Sequence, residues 1–316
     1  MKHTKTYLLA ALSLCAGLVI FLIGFAMMGF NILNFDTEPA YVEQSYSVDG
    51  NISALTVEDE NANISIKLSK DKKIHVKYYE NVNKTYNITR LADGSVSIEK
   101  HTLDDFFNRF FIISISTPTL TIEIPENYSG KLYIENAGGN IMAEGISLGI
   151  LSAEVDGGDI RISNSSISKN LEAEADGGDV EIYESSISDT CKLSGDGGRL
   201  FLQSVTAGNI YAEGDAGHIT LVNIDVKENI FAENDGANIE ISSVLFGRGI
   251  TLIADGGSIR GSVVGTAEDF TYNCVATGGS CNLQNDTAFG AKQLNMRTKG
   301  GNIEVNFVTP VPATAQ

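Results

Sequence analysis

Apolar and polar residues alternate along most of this chain with a period of two. Leu171-Glu172-Ala173-Glu174-Ala175 puts a small or apolar residue at every second position, and Val180-Glu181-Ile182 resumes the alternation after a short break. Alternate residues of a strand point to opposite faces, so the pattern predicts short strands with one buried face. Helical spacing is absent from 131–307. The break itself recurs as a pair of small residues: Gly138-Gly139, Gly157-Gly158, Gly177-Gly178, Gly197-Gly198, Ala216-Gly217, Gly236-Ala237, Gly256-Gly257, Gly278-Gly279 and Gly300-Gly301. Successive spacings are 19, 20, 20, 19, 20, 20, 22 and 22 residues. Two positions beyond each pair the residue is apolar, from Ile141 and Ile160 to Cys281 and Ile303.

Each copy therefore reads as two short strands joined at a glycine corner, with a third short strand around residues such as Ile187. Asp-Gly-Gly suits hairpin turns, which would give an antiparallel meander. The near-constant period, with like residues in like columns, instead favours coil-on-coil stacking: an all-β, parallel β-solenoid with coils of about 20 residues, its glycines turning corners that need φ > 0. Spacings of 19, 20 and 22 are not multiples of six, which points away from a left-handed hexapeptide helix and to a right-handed sense. The repeats predict a solenoid over 131–307. Residues 34–130 keep the alternation with a looser turn column and read as a strand-rich N-terminal cap over the open end of the stack. Pro310 and Pro312 mark 308–316 as a disordered tail.

The first 33 residues are unlike the rest. Tyr7 to Phe30 is a run of 24 uncharged, mostly apolar residues, about 36 Å as a helix and long enough to span a bilayer. Lys2 and Lys5 precede it, while Asp36 and Glu38 follow, so the positive-inside bias puts the N-terminus in the cytoplasm and the remainder outside, a single-pass protein of the cell membrane. A cleaved signal peptide is the competing reading, but the run is too long, and Met27, Met28 and Phe30 occupy the expected exit. Leu14 before Cys15 is too large for a lipoprotein processing site.

Charge narrows the function. Lys plus Arg number 22 against 40 Asp plus Glu, a net charge of −18 that repels phosphate backbones and excludes nucleic acid as a partner. Four His and four Cys exclude a zinc-finger framework and a disulfide-dense scaffold. The acidic column is the sharpest candidate site. Asp156, Asp159, Asp176, Asp179 and Asp196 fall along one edge, one coil apart, where calcium could offset their repulsion. The competing reading is corner chemistry, with the side chains hydrated or bonding local N–H groups. It is favoured because Arg199 and His218 interrupt the column and no nonapeptide calcium repeat is present. No other cofactor is indicated. Phe106, Phe107, Phe110 and Phe111 form an apolar cluster that either plugs the end of the core or contacts a membrane or partner, the plug being favoured. Cys191 aligns with Leu171 as a small core residue. Cys274 and Cys281 flank one corner, where a disulfide and two buried thiols fit equally. No catalytic site is expected: the arginines are scattered, no loop is long enough to wall a cleft, and His75, His101 and His218 lack a nucleophile motif.

The order Ile122-Glu123-Ile124-Pro125, Leu132-Tyr133-Ile134, then Gly-Gly-Asn-Ile followed by Gly-Gly-Asp-Ile repeats resembles the "putative adhesin" family of bacterial β-strand-repeat proteins over about residues 45–307. The resemblance implies a domain of unknown function, often behind one membrane helix in Gram-positive bacteria and in some cases encoded with cell-envelope stress systems; it offers no active site to carry over. The expectation is a membrane-anchored, extracellular, non-catalytic module that binds a cell-envelope glycan or protein. The alternatives are a polysaccharide-active β-helix enzyme and an accessory subunit that senses envelope stress.

Overall fold

A computed structural model describes residues 2–27, 29, 39–49, 51–103, 118–126, 128–285 and 290–309. The alternation seen in the sequence becomes burial: Ile141 and Ala143 are inside while Met142 and Glu144 are exposed, and Leu171, Ala173 and Ala175 are inside beside exposed Glu172. The strands stack in parallel, each on the equivalent strand of the next coil. Before the glycine corner, Leu132, Leu151, Leu171, Cys191, Ile210, Ile230, Ile250 and Leu294 form one continuous buried column. After the corner, Ile64, Ile141, Ile160, Val180, Leu200, Ile219, Ile239, Ile259 and Ile303 form another. Each is 0–2% exposed, so the core is a thin column of mostly branched side chains running the length of the stack. The molecule is an all-β parallel β-solenoid.

Coil geometry starts at Ala54. Strands Ala54–Asp59 and Asn63–Leu68 stack in register on Lys131–Gly138 and Ile141–Glu144. Their outer edges carry Val96–Thr102 and Thr119–Ile124, also in parallel. The parallel stack then ends in antiparallel strands. Lys84–Arg90 pairs with Val96–Thr102, and Lys73–Glu80 pairs with Thr119–Ile124 and with Val42–Asp49. These cover the bonding edge that an open solenoid would present.

The two ends share a topological feature. The chain builds coil 54–68, passes outward to strands 96–102 and 119–124, and returns to the inner side of its first coil at 131. At the other end coil 249–264 is followed by Phe270–Ala276, and the chain then returns to lay Lys292–Thr298 between them. Ile303 accordingly pairs with Ile259 on one side and bridges Cys281 on the other. The last two coils thus stack in the reverse of chain order. The C-terminal end is closed by rings: Phe246, Phe270, Phe307 and Tyr272 have successive centroid separations of 5.5, 5.4 and 6.3 Å.

Ahead of the solenoid, α1 (Lys2–Met27) is a 26-residue helix. Its described side chains are Tyr7 and 13–27; Leu18, Ile20 and Ile23 are all more than half exposed. Among the described residues, no helix is long and apolar enough to cross a membrane.

Candidate functional site

The glycine corner is a structural joint. Of its glycines, among the described residues only Gly139 (φ +88°) and Gly278 (φ +90°) adopt the left-handed conformation expected for the whole column. The second glycine of the pair is needed for a different reason: coils approach so closely that a Cβ on Gly158, Gly178 or Gly198 would strike the carbonyl of the glycine below it. The residue after the pair supplies a rung. Asn140 N–H donates to Asn63 Oδ1 (2.9 Å), Asp159 N–H to Asn140 Oδ1 (3.0 Å), Asp179 N–H to Asp159 Oδ1 (2.9 Å) and Arg199 N–H to Asp179 Oδ1 (2.8 Å). Ser258 on Asn238 (2.8 Å) and Ser280 on Asn302 (2.9 Å) continue the motif. Asp159 and Asp179 each commit an oxygen to the next coil, while Asp156, Asp176 and Asp196 are exposed beside the corner. Among the described residues no group of three or more His, Cys, Asp or Glu is arranged to hold a metal ion.

Other candidates fall elsewhere. Cys274 and Cys281 form a disulfide, Cα–Cα 6.5 Å, inside the terminal coil. Cys191 is a free thiol, wholly buried, and burial pushes its pKa up to about 12. Phe106, Phe107, Phe110 and Phe111 lie outside the described residues. The structure also brings together a trio that the sequence did not announce: Ser47 Oγ lies 2.8 Å from His75 Nδ1, and His75 Nε2 lies 2.9 Å from Asp71 Oδ1. The pairing register explains it, since Ser47 faces His75 directly across two antiparallel strands. Hydrogen bonds from Lys73 N–H and then His75 hold Asp71 below the usual carboxylate range. Ser47 is exposed on a sheet surface, and none of the cavities described below includes it, so the trio lacks the walled pocket and aimed donors that acyl transfer requires.

Two outward columns carry charge. Glu99, Glu58, Glu135, Glu154 and Glu174 occupy matched positions on consecutive strands. Partial burial, then Glu174, Glu135, Asp156 and Asp176, raise the Glu154 pKa. On the next face Glu181 is held between Arg161 (2.9 Å) and Arg199, whose guanidinium also lies 3.2 Å from Asp179. Arg161 lies over the Tyr183 ring at 4.5 Å and Arg199 over Phe201 at 5.1 Å.

In six successive coils the second corner uses left-handed backbone. Asn164, Glu184, Ser204, Asn223 and Ser243 have φ of +50°, +45°, +56°, +53° and +55°, and Gly145 (φ +65°) holds the place in an earlier coil. Ser165 and Ser185, buried just behind, brace the turn: each Oγ donates to the carbonyl two residues back (2.7 Å), and Ser185 Oγ accepts from Ser165 N–H (3.1 Å). Asn164, Glu184 and Ser204 are exposed, and among the described residues no hydrogen bond engages their side chains. They line an open cavity of about 540 Å³ together with Ser166, Ser186 and Thr206. A second cavity of about 310 Å³ shares Ser186 and Thr206 and reaches Asp225 and Lys227. Together they make one polar trough across several coils. Sequence reading passed over it because the corner carries Asn, Glu or Ser in place of the usual glycine; Gly145 was the available signal.

A family model described as Toastrack DUF4097 matches residues 52–306. Among solved structures the chain is similar to a "putative adhesin" from Bacteroides fragilis, with 14% identity, 86% of this chain and 99% of that chain covered, and a TM-score of 0.47. It is similar also to a "putative lipid binding protein" from Parabacteroides distasonis, with 12% identity, 84% and 97% covered and a TM-score of 0.46. A third, a "putative cell adhesion protein" from Clostridium sporogenes, shows 11% identity, 85% and 100% covered and a TM-score of 0.26. No curated protein matches the chain.

Proposed function

We propose that this chain, which belongs to the Toastrack DUF4097 family, is a non-catalytic binding module held at the membrane by its N-terminal segment and displayed on the outer side of the cell envelope. One observation carries the binding reading. At the second corner Asn164, Glu184 and Ser204 keep polar side chains in a left-handed conformation that costs about 1–2 kcal/mol per residue and that glycine adopts freely, and among the described residues those side chains have no hydrogen-bond partner. At the first corner, by contrast, the polar groups hold coil to coil. The anchor is supported by the 24 uncharged residues from Tyr7 to Phe30 and by the apolar, exposed side chains of Leu18, Ile20 and Ile23 on α1. Lys2 and Lys5 ahead of that run orient it with the solenoid outside. The test is saturable co-sedimentation of the detergent-solubilised full chain with isolated cell-envelope fragments; absence of binding would sink the reading.

The Ser47–His75–Asp71 alignment supports a second reading, a surface hydrolase. A fluorophosphonate probe distinguishes the two. The non-catalytic reading expects no labelling, and labelling lost in both Ser47→Ala and His75→Ala would replace it.

A further inference from the structure

We infer that the trough at the second corner binds an uncharged glycan strand laid along the stack of coils; this rests on the binding-module reading above and names its ligand class and its site. The two cavities, about 540 and 310 Å³, meet at Ser186 and Thr206, so the concave surface continues from coil to coil. Successive coils repeat every ~4.8 Å, and each presents a polar side chain at the same place: Asn164, Glu184 and Ser204 on one wall, and the Ser186 and Thr206 hydroxyls on the ridge. Hydroxyls and an amide both donate and accept, and the Glu184 carboxylate can accept from several donors. A sugar chain presents hydroxyls that likewise donate and accept, and it repeats along its length.

Charge excludes the rival polymers. Among the residues lining the two cavities the charged ones are Glu184, Asp225 and Lys227. That leaves one cation for a polyanion, too few to hold it. A polycation would find far more charge on the glutamate column from Glu99 to Glu174, on a different face. The trough is therefore the nearly neutral, hydroxyl-rich surface of a strongly acidic molecule, and hydrogen bonding to uncharged polar groups is the interaction it offers.

The test uses the full chain in detergent micelles with three probes: cellohexaose, chitohexaose and spermine. The decisive variant is the triple Asn164→Gly/Glu184→Gly/Ser204→Gly. Glycine fits each left-handed corner, as Gly145 does in an open space, so this variant keeps its melting temperature. Calorimetry should show at least one of the two neutral oligosaccharides binding the native chain, and about tenfold or greater weakening in the triple variant, the loss of one or two net hydrogen bonds. Ser186→Arg, which fills the shared ridge from an exposed strand position, should weaken it likewise. Failure of both oligosaccharides to bind overturns the inference. So does undiminished binding in the two variants, or spermine binding that competes with the oligosaccharide. If the native chain still sediments with envelope fragments in those cases, the binding-module reading survives and only the trough assignment falls; if it does not, both fall.

Discussion

The two glycines of the 177–178 corner differ in what an added methyl group would meet. A Cβ on Gly177 would meet its nearest atom, the Asp156 carbonyl oxygen, at 3.0 Å, and Ala216 already occupies that place in a later coil. A Cβ on Gly178 would drive into the Gly158 carbonyl. Ala237 is the copy with a side chain at the second place, and there Asn234, fully buried, props the corner by donating to the Gly217 carbonyl and accepting from Gly236 N–H. Its counterpart beside Gly178 is Ala175, which offers no such brace. Gly178→Ala should therefore cost about 1–3 kcal/mol from overpacking, with Gly177→Ala near neutral, measured by urea unfolding. Equal stabilities would remove close approach as the reason for the column. The other residue-scale prediction concerns Lys100 and Asp59, whose side chains are 2% and 0% exposed and 2.8 Å apart. Burial works to raise the Asp59 pKa. The Lys100 charge, with hydrogen bonds from Lys100, Tyr86 and Asn61 N–H, outweighs it and holds the carboxyl below the ordinary value. A depressed carboxyl contributes stability that is complete above its unfolded pKa of about 3.9 and is lost as pH falls through the folded value. Lys100→Met leaves a buried charge unpaired; it should cost about 3–5 kcal/mol at pH 7 and flatten the acid limb of the stability curve.

The elements were partly legible from the sequence. The period of two, the glycine column and the buried apolar residue two places beyond it all appear as strands, corners and core, because each is dictated by chemistry local to one coil. The order of the last two coils was not legible. Ile303 can pair with Ile259 or follow Cys281 in a column of similar apolar residues, so nothing in the side chains distinguishes chain order from stacking order. The lengthening of the spacing to 22 was the trace left by the extra path. The second corner was missed for a related reason, since only its backbone is special and its side chains look like any loop. The Ser47–His75–Asp71 alignment was missed because it depends on the register between strands 28 residues apart. The reversed order makes a prediction of its own. The Cys274–Cys281 disulfide closes a short loop in the outermost coil, and its removal should release about 2 kcal/mol of restraint there. In the Cys274→Ser/Cys281→Ser variant, hydrogen exchange should quicken first in 270–276 and next in 292–298, with 249–254 still protected. Loss of protection at 249–254 before 292–298 would mean that the coils stack in chain order.

For the whole molecule, the net charge of −18 acts against its own compactness, and the glutamate column concentrates the effect. Carboxylates on consecutive strands stand roughly 4.8 Å apart, well inside the ~10 Å screening length at 0.1 M salt. Partial burial and then Glu174, Glu135, Asp156 and Asp176 raise the Glu154 pKa. A raised carboxyl has the opposite linkage to Asp59. Between its unfolded value, about 4.3, and its higher folded value the native chain holds more protons, so stability falls as pH rises through that window. Two opposed limbs follow. Acidifying from pH 7 toward the carboxylate range should first stabilise the solenoid as the column is neutralised, and further acidification below about 4 should destabilise it as the Asp59–Lys100 pair is lost. Salt should act like the first limb, raising the melting temperature between 0.1 M and 1 M sodium chloride, where the screening length shortens to about 3 Å. Glu154→Gln removes the centre of the column while keeping its shape. It should melt higher than the native chain at pH 7 and low salt, and the difference should shrink at 1 M salt and at pH 4.5. A variant that melts lower than the native chain at pH 7 would show that the column is stabilised by something other than its own relief from repulsion, and the acidic face would then have to be reconsidered as a site occupied by a cation.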